Sequence, residues 1–114
     1  KDSNCIVYTG SHDSDCTKTW YKNLGPDVKE RFKKECPKKV RETGTEALIN
    51  FALNSKACLA IIPMQDYLEL DNETGRMNVP SVANGNWGWR LSSRYASERL
   101  INKIYKMTID SKRK

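Results

Sequence analysis

Cys58-Leu-Ala-Ile-Ile62 is an uninterrupted apolar run closed by Pro63. A run without polar alternation suits a strand covered on both faces, which is the condition of a parallel sheet. Upstream, Cys5-Ile-Val-Tyr-Thr9 is a second β-prone run, ended by Gly10. The residues between them carry helical periodicity, so the order is strand, helices, strand, loop, helix. That is the grammar of an α/β protein with parallel strands. Two such strands make one crossover unit rather than a finished sheet.

The connecting segments read as follows. A helix is expected over 16–24, capped by Asp15 and stopped by Gly25. Pro26 suits the first turn of a second helix, whose stripe is Val28, Phe32 and Cys36, and Pro37 closes it. A basic loop over 38–44 leads to a third helix capped by Thr45, with Leu48, Ile49, Ala52, Leu53 and Ala57 inward. Residues 64–91 show little periodicity and many turn pairs, such as Asn84-Gly85. Ser92 or Ser93 is expected to cap a last helix with Leu100, Ile104 and Met107 on one side, and Lys112-Arg-Lys114 to fray.

Hydrophobic residues are 38% and charged residues 30%, an ordered composition with no apolar run long enough to span a bilayer. At 114 residues the chain fits one domain or part of a larger one, and no internal repeat divides it. The first residue is Lys1, not Met, as expected of a partial chain, and no secretory pattern follows it. Cys5, Cys16, Cys36 and Cys58 include no CxxC pair, and His12 is the single histidine, so a zinc site is not expected. The four cysteines read as cytoplasmic thiols, with Cys5 and Cys58 packing as small hydrophobes in their strands. The net charge of +6 permits polyanion binding without establishing it.

Three stretches carry polar groups in suggestive places. Tyr8-Thr-Gly-Ser-His-Asp-Ser-Asp15 puts His12 and Asp13 just beyond a strand's C-terminal end, where α/β barrels place functional groups. On spacing alone, helix capping by Asp13 or Asp15 is the simpler account. In Ile61-Ile-Pro-Met-Gln-Asp66, Gln65 and Asp66 follow the apolar strand directly, and a turn with a cap for 67–70 explains them equally. Arg76-Met-Asn-Val-Pro80 and Asn84-Gly-Asn-Trp-Gly-Trp-Arg90 are dense in amides and aromatics, which suit sugar hydroxyls and sugar faces. For Trp87 and Trp89, ordinary packing is preferred, one pointing inward and one outward.

Taken together, these stretches resemble the 4-α-glucanotransferases (amylomaltases, glycoside hydrolase family 77). Tyr8–Cys16 is similar to that family's Y-T-G-T-H-D-N-D-T, Ile62–Asp66 to its P-x-Q-D, and Arg76–Pro80 with Gly85–Arg90 to R-M-N-x-P-G…G-N-W-x-W-R. Ser11, Ser14 and Cys16 depart from the pattern, and Ser81 stands where glycine is usual. A positive φ at that position would explain the usual glycine.

The resemblance implies a (β/α)₈ barrel, with residues 1–114 as its C-terminal segment: strands seven and eight, their helices and a long loop. It implies retaining transfer of α-1,4-glucan, in which one carboxylate attacks the anomeric carbon and another protonates the leaving oxygen. By the same match, Asp13 is the third carboxylate, which stabilises the transition state, while His12 and Asn78 bind substrate. The nucleophile and the acid/base have no counterpart motif here, so the isolated chain is expected to be inactive. No metal or organic cofactor is implied, and neither nucleic acid nor membrane is expected as a partner. The expected partners are an α-1,4-glucan and the N-terminal remainder of the barrel. Two rivals stand beside this reading. One is a non-catalytic glucan-binding piece. The other is a polyanion-binding module using the basic 29–41 region, although Glu30 and Glu35 interrupt that patch.

Overall fold

The computed structural model describes residues 3–113. Its order is β1 (Ser3–Tyr8), α1 (Thr17–Lys22), α2 (Pro26–Glu35), α3 (Gly44–Asn54), β2 (Ala57–Ile61), α4 (Met64–Tyr67), α5 (Asn72–Gly75), a 3₁₀ turn (Ser93–Tyr95) and α6 (Glu98–Asp110). β1 and β2 pair in parallel with Ile6 opposite Leu59, Val7 opposite Ala60 and Tyr8 opposite Ile61. The α/β class and the parallel pairing are those expected. Because the strands run the same way, the segments after Tyr8 and Ile61 leave the sheet at one end.

The core is built where helix stripes meet. Ile49 and Leu53 of α3, Tyr67 of α4, and Leu100 and Met107 of α6 form one buried cluster. Ala60, Ile62 and Ile104 pack against it. The expected α6 face is therefore the one used.

The other side of the sheet is not covered. Leu59 is 48% and Ile61 42% exposed, as are Ile6 at 48% and Tyr8 at 55%. The expectation of a strand buried on both faces does not hold within this chain, since its helices supply one covering layer and burial on both faces needs two. Cys5 and Cys58 are also exposed, instead of packed as small hydrophobes. All four cysteines are free thiols.

Several caps differ from the expected ones. Helix α3 is capped by Thr43, not Thr45: Thr43 Oγ1 accepts from Glu46 N at 3.1 Å, and Glu46 Oε1 accepts from Thr43 N at 3.3 Å. This reciprocal pair is the capping box that Thr43-x-x-Glu46 encodes. Ser97 caps α6, accepting from Leu100 N at 3.3 Å, because the 3₁₀ turn intervenes after Ser92. Helix α1 ends at Asn23, and Gly25 instead precedes Pro26 at the start of α2. Val28 in the α2 stripe stays half exposed, while Phe32 meets Tyr21 edge-on at 5.2 Å and Cys36 is buried.

The expected fraying at the end does not occur at Arg113, while Lys114 lies outside the described residues. The Arg113 guanidinium donates to the carbonyls of Leu53 at 2.6 Å, Ser55 at 3.2 Å and Ala57 at 2.9 Å. A delocalised cation there answers the Leu53 and Ser55 carbonyls left over at the C-terminus of α3 and reaches the first residue of β2. Gly44 is needed for a different close approach: a Cβ at this position would collide with the Tyr21 ring of α1.

Candidate functional site at the sheet's C-terminal end

Asp66 organises the floor. It follows β2 directly, is 2% exposed, and accepts three hydrogen bonds. Thr9 Oγ1 and Thr17 Oγ1 donate to Oδ2 at 2.6 and 2.7 Å, and Thr17 N donates to Oδ1 at 2.9 Å. One carboxylate thus ties the exit of β1 to the first turn of α1. It takes over the work expected of Asp15 and caps a helix 49 residues away in sequence instead of its own.

Asp15, released from capping, faces the third stretch. Its Oδ1 accepts from Asn72 Nδ2 at 2.8 Å and from Arg76 Nη1 at 2.8 Å. Asn72 Oδ1 in turn accepts from Cys16 N at 2.8 Å. The Arg76 guanidinium spends its other edges on backbone, donating to Asp13 O and Asn78 O, each at 2.9 Å. Asn78 N donates to His12 O at 3.1 Å, and Asn78 Nδ2 to Asp13 Oδ1 at 2.6 Å. His12 Nε2 lies 3.2 Å from Asp13 Oδ2. Adjacent His12 and Asp13 therefore meet Asn78, 65 residues away from Asp13, as one polar cluster, with the Asp13 and His12 side chains about half exposed.

Beside the cluster opens a cavity of about 360 Å³ whose lining includes Tyr8, His12, Asp15, Arg76, Met77 and Trp87. The packing role expected of Trp87 is not the one observed. Trp87 is 54% exposed, its ring centroid lies 4.8 Å from that of His12, and its φ is +60°. A bulky residue in the left-handed region is costly and turns its side chain out of the usual course, here toward the cavity. Ser81 has φ +67°, which accounts for glycine's suitability at that point of the loop.

Cys16 lines the cavity, and both it and Cys36 are buried. Burial, reinforced by the Asp66 charge, pushes the Cys16 thiol up to about 11. Burial also raises the Cys36 thiol, whose Sγ donates to Ala47 O at 3.2 Å. Among the described residues no group of three or more His, Cys, Asp or Glu could hold a metal ion. No described helix is long and apolar enough to cross a membrane.

The cluster can present a carboxylate, an imidazole and an amide toward neighbouring hydroxyls, beside an aromatic face. The family resemblance, and not the spacing of the residues, singled out His12, Asp13 and Asn78. It missed Arg76 as the link between them, because nothing local signals a pairing with Asp15 across 61 residues.

The chain is similar to known proteins over nearly its whole length. It is 38% identical to the chloroplastic/amyloplastic 4-alpha-glucanotransferase of Solanum tuberosum, over 87% of this chain and 17% of that protein. It is 36% identical to the 4-alpha-glucanotransferase of Clostridium butyricum, over 94% of this chain and 22% of that one. Among solved structures, the amylomaltase from Streptococcus agalactiae in complex with acarbose superposes with a TM-score of 0.88 at 27% identity, covering 95% of this chain and 22% of that chain. The chain thus spans about a fifth of the length of these relatives. The sequence profile described as 4-alpha-glucanotransferase matches residues 1–96, and with these relatives it shows that the chain belongs to the 4-α-glucanotransferase family.

Proposed function

We propose that this chain supplies part of the glucan site of a 4-α-glucanotransferase, as two β/α units of a (β/α)₈ barrel. Residues 1–114 are then one piece of a single catalytic domain, and the remaining polypeptide of the barrel is its first partner. The substrate is an α-1,4-glucan or maltooligosaccharide. Acarbose, the glucan-like ligand of the Streptococcus agalactiae amylomaltase, supports that substrate class. Four free thiols suit a reducing compartment such as the cytoplasm.

The observation that carries the reading is the Asp13 cluster. One carboxylate oxygen is held by Asn78 at 2.6 Å and the other lies 3.2 Å from His12, which lines the cavity. A carboxylate pinned in this way keeps its charge in one place while positive charge develops on the sugar. In a retaining transfer, a nucleophilic carboxylate bonds to the anomeric carbon as the leaving 4-oxygen takes a proton from the acid. An acceptor 4-hydroxyl, deprotonated by the same group, then displaces the carboxylate. Asp13 takes part in neither bond change. It complements the oxocarbenium-like charge, and His12 and Asn78 keep its oxygens oriented toward the sugar hydroxyls. Nucleophile and acid/base come from the rest of the barrel, so the chain alone transfers no glucan.

The test is Asp13→Asn in the complete enzyme, assayed by maltotriose disproportionation. The change keeps the shape and removes the charge, so kcat falls on the order of a hundredfold while KM moves much less. Near-normal turnover in that variant removes Asp13 from its role.

A further inference from the structure

We infer that Arg76 is a positioning residue for Asp13, acting as a clamp between the two loops that form the site; the inference rests on the role proposed for Asp13 above. Each of its three guanidinium nitrogens has a partner. Nη2 donates to Asp13 O, Nε to Asn78 O, and Nη1 to the Asp15 carboxylate. Two of these acceptors are the backbone carbonyls of the very residues whose side chains meet at 2.6 Å. The third fixes the guanidinium itself, since the same Asp15 oxygen, Oδ1, is also held by Asn72 Nδ2 at 2.8 Å.

The arrangement separates holding from binding. With its nitrogens committed to loop acceptors and its side chain only 19% exposed, Arg76 has little left for a sugar, although it borders the cavity. A planar fork can serve three acceptors in fixed directions. A lysine ammonium keeps the charge opposite Asp15 but cannot hold both carbonyls in the same geometry. The clamp therefore sets the distance between Asp13 and Asn78. Misplacing a charge-complementing group by about 1 Å can cost up to a hundredfold in rate.

The experiment uses the complete enzyme with Arg76→Ala and Arg76→Lys, each in the native and the Asp13→Asn backgrounds. Maltotriose disproportionation gives kcat and KM, thermal melting gives Tm, and amide hydrogen exchange is read on residues 76–87 and 98–110. In the native background Arg76→Ala should lower kcat about tenfold or more with KM within about threefold. In the Asp13→Asn background the further loss should be under about threefold, because a residue acting through Asp13 has nothing left to position. Arg76→Lys should keep Tm near the parent and still lose kcat. Exchange over 76–87 should accelerate in Arg76→Ala, with 98–110 unchanged.

A kcat within about twofold of the parent for Arg76→Ala, equal losses in both backgrounds, or full activity of Arg76→Lys overturns the clamp. Should Arg76→Ala melt below the assay temperature, the lysine variant decides. If the parent is inert, or Asp13→Asn is fully active, the functional reading fails. The exchange measurement then still decides the clamp, and unchanged protection over 76–87 refutes it.

Discussion

Removing the Asp66 carboxylate should cost more stability than any other single polar change near the site. Asp66 is 2% exposed and accepts from two hydroxyls and one backbone amide. Hydrogen bonds to a charged acceptor are worth about 1.5–3 kcal/mol each. The hydroxyls of Thr9 and Thr17 can rotate to other acceptors, but Thr17 N is fixed in the first turn of α1, where Thr17 is 2% exposed. Asp66→Ala therefore leaves a buried donor unpaired and unties β1 from α1, at a cost of about 3–5 kcal/mol. Asp66→Asn keeps an oxygen for Thr17 N and offers an amide that either hydroxyl can accept from, so its cost is about 1–2 kcal/mol. Urea unfolding followed by tryptophan fluorescence, to which Trp20 on α1 contributes with Trp87 and Trp89, reports the difference as a midpoint shift. A midpoint for Asp66→Ala equal to that of the parent, or an Asn variant as damaged as the Ala variant, would refute the reasoning.

Gly44→Ala should destabilise by about 1–3 kcal/mol, an overpacking cost, and the same urea titration measures it. The added Cβ meets the Tyr21 ring, which Phe32 at 5.2 Å and the Lys29 ammonium at 4.9 Å hold in place. Alkylation of the native protein should label Cys5 and Cys58 quickly, with Cys16 and Cys36 reacting only on unfolding; rapid labelling of Cys16 would contradict its burial. The Cys16 thiol is raised from 9.0 to about 11, so the folded state binds its proton more tightly than the unfolded chain. Its contribution is complete below pH 9 and lost as pH rises toward 11, and Cys16→Ala should lose less stability than the parent across that interval.

The exposed sheet face shows where a reading from residues alone stops. The apolar character of 58–62 is real, and it packs a strand on two sides only when two layers of structure exist. Here α3 and α6 cover one side, leaving Leu59 and Ile61 beside Ile6 and Tyr8 at the surface. Cap errors have a similar origin. Several serines and threonines stand near these helix starts, and the one that caps is decided by where the first helical turn lies, as Thr43 with Glu46 and Ser97 with Leu100 illustrate.

By itself the sequence determined the parallel strand–helix–strand order and the inward stripe of α6. Apolar periodicity and a strand's C-terminal end are local properties, read within a few positions. The three family-like segments pointed to His12, Asp13 and Asn78 as candidate site residues. Tertiary structure alone decided what holds the cluster together. Asp66 caps a helix 49 residues away, and Asp15 leaves its own helix for Arg76 across 61 residues. A carboxylate takes whichever donors the folded chain brings within about 3 Å, and closure of the loops, not sequence proximity, sets that choice.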